Sequence, residues 1–463
     1  MDGLQPYPAY KDSGLPWLGQ VPAHWEMRRM KFLLREIDSR STTGKEQLLR
    51  VSQYTGVTLR KSLDGSEPDT RASSLVGYKK VAPNNLVINI MLAWNGSLGV
   101  ARHEGIASPA YCVYRFNDGA LPGYYHELLR TPIYKGRIKI ASTGVVESRL
   151  RLYSDDLGRI EALLPPSEEQ ATIARYLDHA TRKIDKTIRA KRKIIALLNE
   201  QKQAIIHRAV TRGLDPDVPL KDSGIPWLGQ IPAHWDIRPM KQLLIRMDYG
   251  TSENARGEGT VRVLTMGHIR DGAVVIPDRG SLDSVPAGLS LQTNDLLFNR
   301  TNSAELVGKV GLFSGPGSDD ITFASYLVRL RVKPEHSPYW LNYLLNSVRF
   351  WSYARSQALV SLHQANLNPT RYGQMLLPVP PRNEQDSIVD HVSIQAREIG
   401  TTAIRIEREI SLLHEYRTRL IADVVTGKLD VRAAAARLPE PGEEEAPEIA
   451  DVEDDEEALE EAA

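Results

Sequence analysis

The sequence predicts an α+β protein in which two globular domains are separated by two long coiled-coil helices, arranged as a tandem repeat. Three observations lead to this prediction. A border segment occurs twice, a long stretch of helical periodicity follows each copy, and short strands fill the segments between them. The 463 residues also exceed the size at which one hydrophobic core usually stops growing.

The border segment is the clearest repeat. Residues 11–34 align with residues 221–244 at an offset of 210, and 18 of 24 positions are identical. Both copies contain Pro-Trp-Leu-Gly-Gln followed by Pro-Ala-His-Trp. A second repeat, Pro-Pro-x-x-Glu-Gln, begins at Pro165 and again at Pro380. These matches indicate a tandem duplication.

Each Pro-Pro pair introduces a stretch of helical periodicity. Apolar residues recur at steps of three and four, over a length that predicts coiled-coil packing of helices roughly 60 Å long. The first stretch contains Ile173, Leu177, Ala180, Ile184, Ile194, Leu198 and Ile205, and the second contains Ile388, Val392, Ile399, Ile406, Ile410, Leu413, Leu420 and Val424.

Helix-end signals flank both stretches. Ser167 and Gln170 form a potential capping box, and Asn383 can cap the second helix. Gly213 and Gly427 stand near the two C-terminal ends, where glycine favours helix termination.

Charge indicates that the two helices pair with each other. Residues 168–212 carry a net charge of +6, and residues 383–427 carry −3. Such complementarity sets partner choice more than it adds stability. Independent packing of each helix against a separate domain is the alternative.

The segments between the repeats, residues 26–164 and 236–378, share a pattern of strands and short helices. Apolar strands are predicted at residues 85–89, 110–116, 294–299 and 324–330, and helices at residues 124–134 and 338–352. The predicted domains are 1–164 (first border segment and globular domain), 165–215 (first long helix), 216–379 (second border segment and globular domain), 380–432 (second long helix) and 433–463 (an acidic disordered tail).

The zero net charge of the chain conceals a separation of charges. Residues 438–463 hold 13 of the 58 acidic residues and no basic ones, so residues 1–437 carry a net charge of +13. A basic body suits a polyanionic partner. The tail is interpreted as a solvated solubility segment, or alternatively as a screen against non-specific DNA.

Patterns of several other protein classes are absent from the sequence. There is no phosphate-binding loop, metal-binding spacing or nucleophile elbow, so no catalytic and no metal-ligating residues are predicted. Cys112 is a lone cysteine, and neither a signal peptide nor a membrane-spanning run is visible, which indicates a cytoplasmic protein. His24-Trp25 and His234-Trp235 are predicted to dock each domain against a helix, with partner contact as the alternative.

Basic and polar turns supply the candidate DNA-binding residues. Residues 26–164 and 236–378 carry net charges of +7 and +3, suited to phosphate, and polar side chains in turns can reach base edges. The first domain offers Trp94, Asn95, Ser97, Thr143 and Arg149, and the second offers Arg300, Asn302, Ser303, His363 and Gln364. For any single one of these, a solvated loop residue is the competing interpretation.

The duplicated border segment and the duplicated Pro-Pro-x-x-Glu-Gln motif resemble the specificity subunits of type I restriction-modification systems. The resemblance covers residues 11 to about 432, while Arg382, Asn383 and the acidic tail depart from the pattern. It implies a non-catalytic subunit whose two target recognition domains bind double-stranded DNA and are held apart by two long antiparallel helices, around a pseudo-twofold axis. It also implies complexes with two adenine-methylating modification subunits and with restriction/translocase subunits.

The resemblance assigns no cofactor to this chain. S-adenosylmethionine, ATP and Mg are expected on the partner subunits. The two domains differ in sequence, although the segments that border them are repeated. This difference predicts a bipartite, asymmetric DNA target with unread base pairs between its halves. Alternatives are a DNA recogniser of another methylation-based defence system without a restriction subunit, a non-DNA assembly scaffold, and an enzyme that itself modifies or cuts DNA.

Overall fold

A computed structural model describes residues 4–60, 74–146, 149–253, 259–317, 320–361 and 364–439. The chain divides into two compact units. Unit 1 comprises Met1–Ala190 and Glu409–Ala463, and unit 2 comprises Lys191–Arg408. Each unit therefore contains one globular domain, part of the first long helix and part of the second.

Unit 1 begins with short strands and helices that precede the first long helix. The strands are β1 (Tyr10–Asp12), β2 (Gln20–Pro22), β3 (Glu26–Arg29), β4 (Leu34–Ile37), β5 (Leu49–Ser52), β6 (Gly56–Leu59), β7 (Lys79–Val81), β8 (Leu86–Asn89), β9 (Leu98–Val100), β10 (Gly105–Ala107), β11 (Tyr111–Phe116) and β12 (Glu161–Leu164). The helices are α1 (Met30–Leu33), α2 (Pro122–Arg130), α3 (Pro132–Ala141) and α4 (Ser154–Arg159), followed by the long helix α5 (Ser167–Arg212).

The main sheet of unit 1 has four antiparallel strands in the order β4-β11-β8-β9. All four residues of β8 are buried, as expected of an apolar strand in the middle of a sheet. The predicted helix at residues 124–134 is two helices. Thr131 ends α2, and its hydroxyl accepts a hydrogen bond from the Tyr134 amide, while Pro132 starts α3.

Unit 2 repeats this order of elements. Its strands are β13 (Leu220–Asp222), β14 (Gln230–Pro232), β15 (Asp236–Pro239), β16 (Leu244–Tyr249), β17 (Arg262–Leu264), β18 (Ile269–Arg270), β19 (Ala273–Val274), β20 (Leu296–Asn299), β21 (Thr301–Asn302), β22 (Val310–Leu312), β23 (Ile321–Phe323), β24 (Leu327–Val332), β25 (Leu359–Ser361), β26 (Gln364–Asn366) and β27 (Leu376–Val379). Its helices are α6 (Pro338–Leu345), α7 (Val348–Ser356), α8 (Pro369–Gly373) and the long helix α9 (Arg382–Val425), whose last residues belong to unit 1, as does α10 (Arg432–Ala435).

The main sheet of unit 2 has six strands in the order β16-β24-β20-β22-β19-β18. Its central antiparallel pair, β20 with β24, corresponds to β8 with β11 in unit 1. The predicted helix at residues 338–352 is also two helices, because Ser347 interrupts it between α6 and α7. The α+β prediction is confirmed in both units.

The two long helices pair antiparallel in each unit. Helix α5 has 46 residues and α9 has 44, so they are about 65–70 Å long. In unit 1 the start of α5 packs near the end of α9, with Ile173 and Val424 fully buried in one core. In unit 2 the end of α5 packs near the start of α9, with Val210 and Ile388 fully buried. The predicted pairing of the helices is therefore confirmed.

Charge complementarity between the two helices stays a prediction. In one ion pair between them, Asp185 on α5 accepts from Arg417 on α9 at 3.1 Å, so this pair has the opposite sense to basic α5 facing acidic α9. Apolar side chains occupy the shared face of the helices in unit 1.

Glycine ends both long helices, as predicted. Gly213 and Gly427 adopt left-handed φ angles of 72° and 77°. A Cβ on Gly427 would lie 2.5 Å or less from two ring carbons of Pro22, so that residue also permits close packing against the border segment. The other helix-end predictions differ: Asn383 lies inside the first turn of α9 because the helix begins at Arg382, and Gln170 makes other contacts described below.

Residues 433–439, assigned to a disordered tail from composition, are described by the structure. Val431 and Ala435 are buried in the core of unit 1, and α10 includes residues 433–435. The remainder of the predicted tail, residues 440–463, lies outside the described residues. Among the described residues, no helix is long and apolar enough to cross a membrane.

Candidate nucleic-acid interface

The repeated border segment forms a fixed corner at the start of each long helix. In unit 1 the buried indole of Trp25 donates to Glu169 Oε1 at 3.0 Å, and Nε2 of His24 lies 2.7 Å from Glu169 Oε2. Tyr7 also donates to Glu169 Oε1 at 2.5 Å. In this way the glutamate of Pro-Pro-x-x-Glu-Gln joins the border segment to the helix.

Unit 2 uses the equivalent residues in the same way. Trp235 donates to Glu384 Oε1 at 3.0 Å, and Nε2 of His234 lies 2.9 Å from Glu384 Oε2. The prediction that these His-Trp pairs dock each domain against a helix is confirmed. Both histidines are engaged with a carboxylate, so they serve the fold in both units.

The glutamine of the motif holds the globular domain. Gln170 accepts from the Leu121 amide at 2.9 Å and donates to the Gly119 carbonyl at 2.8 Å. Gln385 accepts from the Ser337 amide at 2.7 Å. The capping-box prediction for Gln170 is therefore wrong, because its side-chain oxygen accepts from the Leu121 amide in the loop before α2, while its nitrogen donates to the Gly119 carbonyl and to the Pro165 carbonyl at 2.7 Å.

The turn after β8 carries the first three predicted DNA-contacting residues. Asn95 Oδ1 accepts from the amide of Ser97 at 3.3 Å and from its hydroxyl at 3.0 Å. Ser97 is only 3% exposed, so in this conformation it closes the turn and does not face solvent. Trp94 is partly exposed, and Nζ of Lys139 lies 5.3 Å from its ring centroid, a cation–π contact.

Two other predicted residues lie on a neighbouring exposed segment. Thr143 forms an antiparallel bridge with Arg151, with reciprocal backbone hydrogen bonds of 2.9 Å, and Arg149 is exposed within it. The Leu152 amide donates to the Ile90 carbonyl at 2.9 Å, which brings this segment beside the end of β8. The structure therefore brings the two predicted surfaces of unit 1 together.

Arg130 and His126 of α2 form hydrogen bonds with the backbone of this turn and of β9. Arg130 donates to the Leu98 carbonyl at 2.7 Å and to the Gly96 carbonyl at 3.3 Å, which fixes the turn at both positions. His126 Nδ1 accepts from the Val100 amide at 3.1 Å. Burial, reinforced by the nearby Arg130 charge, lowers the pKa of His126 to about 3.

The His126 pKa predicts acid sensitivity of unit 1. Because an unfolded histidine titrates near pH ~6.5, unfolding takes up a proton at any pH between ~6.5 and the folded pKa. The stabilisation from neutral His126 is fully present above pH ~6.5 and declines as pH falls, by at most ~1.4 kcal/mol per pH unit. We expect the free energy of unfolding, measured with urea, to fall less steeply with decreasing pH in His126→Gln than in the unsubstituted protein. An equally steep fall of the free energy of unfolding with decreasing pH in the two proteins would contradict the prediction.

Three contacts orient the predicted residue Arg300 of unit 2. Its guanidinium carbon lies 5.2 Å from the ring centroid of Tyr249. Nη1 donates to the Ser325 carbonyl at 3.3 Å, and Nη2 donates to Asn366 Oδ1 at 3.4 Å. Both hydrogen bonds are long, so they orient the guanidinium without strongly holding it.

The remaining predicted residues of unit 2 meet in a small sheet. Strand β26 lies between β21 and β25, so Asn302 pairs with Ala365, and Ser361 pairs with Gln364. Gln364 is exposed, and Asn302 accepts from the Ser303 amide at 2.8 Å. His363 lies outside the described residues. The structure thus joins the turn after β20 to the segment before α8.

Acidic and apolar groups also lie on this surface. Hydrogen bonds from its own backbone amide and from the Ser303 hydroxyl lower the pKa of Glu305, which keeps a negative charge beside the candidate residues. Leu359 and Val360 of β25 are 72% and 67% exposed. Exposed apolar side chains beside polar ones are typical of interaction surfaces.

Sequence reasoning missed Lys139 and Tyr249, which contact Trp94 and Arg300. Lys139 had a local signal, because Lys135 and Lys139 are four residues apart and so lie on one face of a short helix. Tyr249 had none, since it meets Arg300 only through the pairing of distant strands. Among the described residues, no group of three or more His, Cys, Asp or Glu side chains could hold a metal ion.

Comparison with known proteins relates this arrangement to one family. The chain is 23% identical over 434 residues to the type I restriction enzyme StySPI specificity subunit of Salmonella potsdam, covering 89% of this chain and 90% of that one. It is 22% identical over 363 residues to the EcoKI specificity subunit of Escherichia coli (strain K12), covering 76% of each. These similarities confirm the predicted resemblance of this chain to type I specificity subunits. No protein-family model matches the sequence.

The fold of this chain has a solved counterpart. A chain from a structural study of complex assembly and conformational transition in the type I R-M system superposes with a TM-score of 0.65 at 15% identity. The match covers 88% of this chain and 99% of that one. The similarity in fold therefore extends over most of the chain.

Proposed function

We propose that this specificity subunit binds double-stranded DNA and reads a bipartite, asymmetric target, one half through each unit. Target recognition domains at residues 1–164 and 216–379 would supply the contacts. The observation that carries the proposal is that each unit joins two polar segments, predicted separately from sequence, into one exposed surface. Net charges of +7 and +3 on residues 26–164 and 236–378 suit these surfaces to DNA phosphates.

The subunit itself is proposed to be non-catalytic. It would direct adenine methylation by two modification subunits and DNA cleavage by restriction/translocase subunits, where S-adenosylmethionine, ATP and Mg would act. The long helices would set the distance between the two target halves. The similarity to a chain from a type I R-M assembly supports this assignment of partners.

Deletion of the gene tests the proposal directly. Modified adenines are mapped by long-read sequencing in the deletion strain and in the parent. We expect one bipartite motif to lose methylation after deletion and to regain it when the gene is restored on a plasmid. If the parent strain expresses active modification subunits and its methylation map is identical to that of the deletion strain, the proposal is contradicted.

Replacement of Arg300 with alanine tests one proposed base contact. A bidentate arginine–guanine pair contributes ~1–3 kcal/mol of discrimination, so we expect about 5- to 150-fold weaker preference for the correct base at one position of one half-site. Binding of oligonucleotides substituted at each target position gives the measurement. Because Arg300 also packs on Tyr249, the melting temperature is compared with that of Arg300→Lys. Unchanged specificity in a folded Arg300→Ala protein would remove this residue from the proposed interface.

A further inference from the structure

The first half of α5 presents a row of basic side chains to solvent. Arg175, Arg182, Lys186 and Arg189 follow one another at spacings of seven, four and three residues, which places them within about 60° of one helix face. We call these four residues the basic stripe. Three of them are exposed and Arg189 is partly exposed.

The opposite face of the same helix is buried in unit 1. Ile173, Leu177, Ala180, Ile184 and Ile188 are all at most 5% exposed. The basic stripe is therefore held outward by the packing of the helix. One stripe residue, Arg182, has an ion pair on its own helix, with Asp178 at 2.6 Å. At such exposure that pair contributes little and leaves the stripe positive.

The C-terminal part of the chain reaches the basic stripe. The buried Ala435 anchors α10 in the core of unit 1. Nη2 of Arg175 then donates to the carbonyls of Leu438 at 3.0 Å and Pro439 at 2.8 Å. Pro439 is the last described residue, so residues 440–463 begin at one end of the stripe.

Residues 440–463 have the complementary charge. These 24 residues include 13 acidic and no basic side chains. Reach is not limiting, because the stripe spans ~21 Å along the helix and 24 extended residues span up to ~80 Å. A covalent tether also gives the segment a local concentration in the millimolar range, which free DNA rarely matches.

We propose that residues 440–463 bind the basic stripe as an intramolecular polyanion. Bound there, the acidic segment covers this part of α5 against the phosphates of non-specific DNA. The proposal does not depend on the function proposed above, since it concerns two parts of one chain. DNA as the resident occupant of the stripe is the competing outcome.

A zero-length carbodiimide crosslinker tests the contact in the full-length protein, since it couples carboxylates only to amines that they touch. At low salt we expect peptides from residues 440–463 to be coupled mainly to Lys186. Lys31 and Lys45, exposed lysines elsewhere in unit 1, should be coupled much less. Near 0.5 M NaCl, where the screening length falls to a few ångströms, coupling to Lys186 should drop several-fold.

Paired substitutions show whether the basic stripe is responsible for the coupling of residues 440–463 to Lys186. The double variant Arg182→Gln, Arg189→Gln should reduce coupling to Lys186 by about threefold or more, because two neighbouring positive charges are removed. Arg28→Gln with Arg29→Gln removes the same charge from another exposed part of unit 1 and should leave the coupling unchanged. Equal coupling to Lys31, Lys45 and Lys186 would overturn the proposal, as would equal effects of the two double variants.

Binding of random-sequence duplex DNA shows whether residues 440–463 or DNA occupies the basic stripe. Replacement of the 13 acidic residues by Gln and Asn in the full-length chain should tighten its binding to this duplex. If neutralising the acidic residues no longer tightens DNA binding once Arg182→Gln and Arg189→Gln are also present, the acidic segment and DNA compete for the basic stripe. If the duplex protects Lys186 from an amine reagent while the acidic segment never couples to it, DNA is the occupant and the proposal is wrong.

Discussion

Exchange of residues 26–164 for the equivalent segment of another type I specificity subunit is expected to change one half of the DNA target completely and to leave the other half intact. The structure gives a physical reason for this independence. Glu26 at the start of β3 pairs directly with Leu164 at the end of β12. The segment therefore begins and ends at adjacent positions, next to the corner that Trp25 and Glu169 form.

Methylated adenines mapped in a host that carries the hybrid and its modification subunits provide the measurement. The matched control is exchange of residues 236–378, which also begin and end beside each other because Ile237 pairs with Pro378. That hybrid should change only the other half. A change of both halves by either exchange would show that the two units do not read DNA independently.

Replacement of Trp25 with alanine is expected to have the largest effect on stability. Trp25 is fully buried, and its indole donates one of the hydrogen bonds that satisfy the buried Glu169 carboxylate. Loss of such a side chain costs ~3–5 kcal/mol, and the lost donor leaves the carboxylate less well satisfied. Hydrogen exchange measured peptide by peptide should show reduced protection in unit 1.

Two controls separate the contributions of volume and hydrogen bonding. Trp25→Phe keeps most of the volume but removes the donor, so its cost should be closer to ~1–3 kcal/mol. Trp17→Ala removes a partly exposed tryptophan from the same border segment and should cost less than Trp25→Ala. Equal losses for Trp17→Ala and Trp25→Ala would contradict the role assigned to the corner.

Much of the architecture was predictable because its signals are local. Helix α5 and its partner α9 follow from apolar residues spaced by threes and fours, and β8 follows from a short apolar run. The duplication itself is visible as sequence identity. Element ends were less predictable. The hydroxyl of Thr131 and the ring of Pro132 divide one predicted helix into two, a choice between competing local signals.

The candidate interface was predicted in part. Four segments were identified from polar turns, and their meeting in pairs within each unit depends on strand pairing that sequence spacing does not reveal. Ser97 was predicted to face DNA, yet its hydroxyl is used by Asn95. A residue type suited to base contacts is equally suited to closing a turn, and only burial separates the two roles.

The sequence by itself determined the tandem repeat, the long helices, the α+β class and the charge of each segment, since each depends on neighbouring residues. The tertiary structure alone decided contacts between distant residues. Examples are the Trp25 indole on Glu169, 144 residues away, and the Tyr124 hydroxyl on the Val425 carbonyl, 301 residues away. Such contacts form only when burial of apolar faces brings separate helices and strands together, and no local pattern encodes which polar groups then become partners.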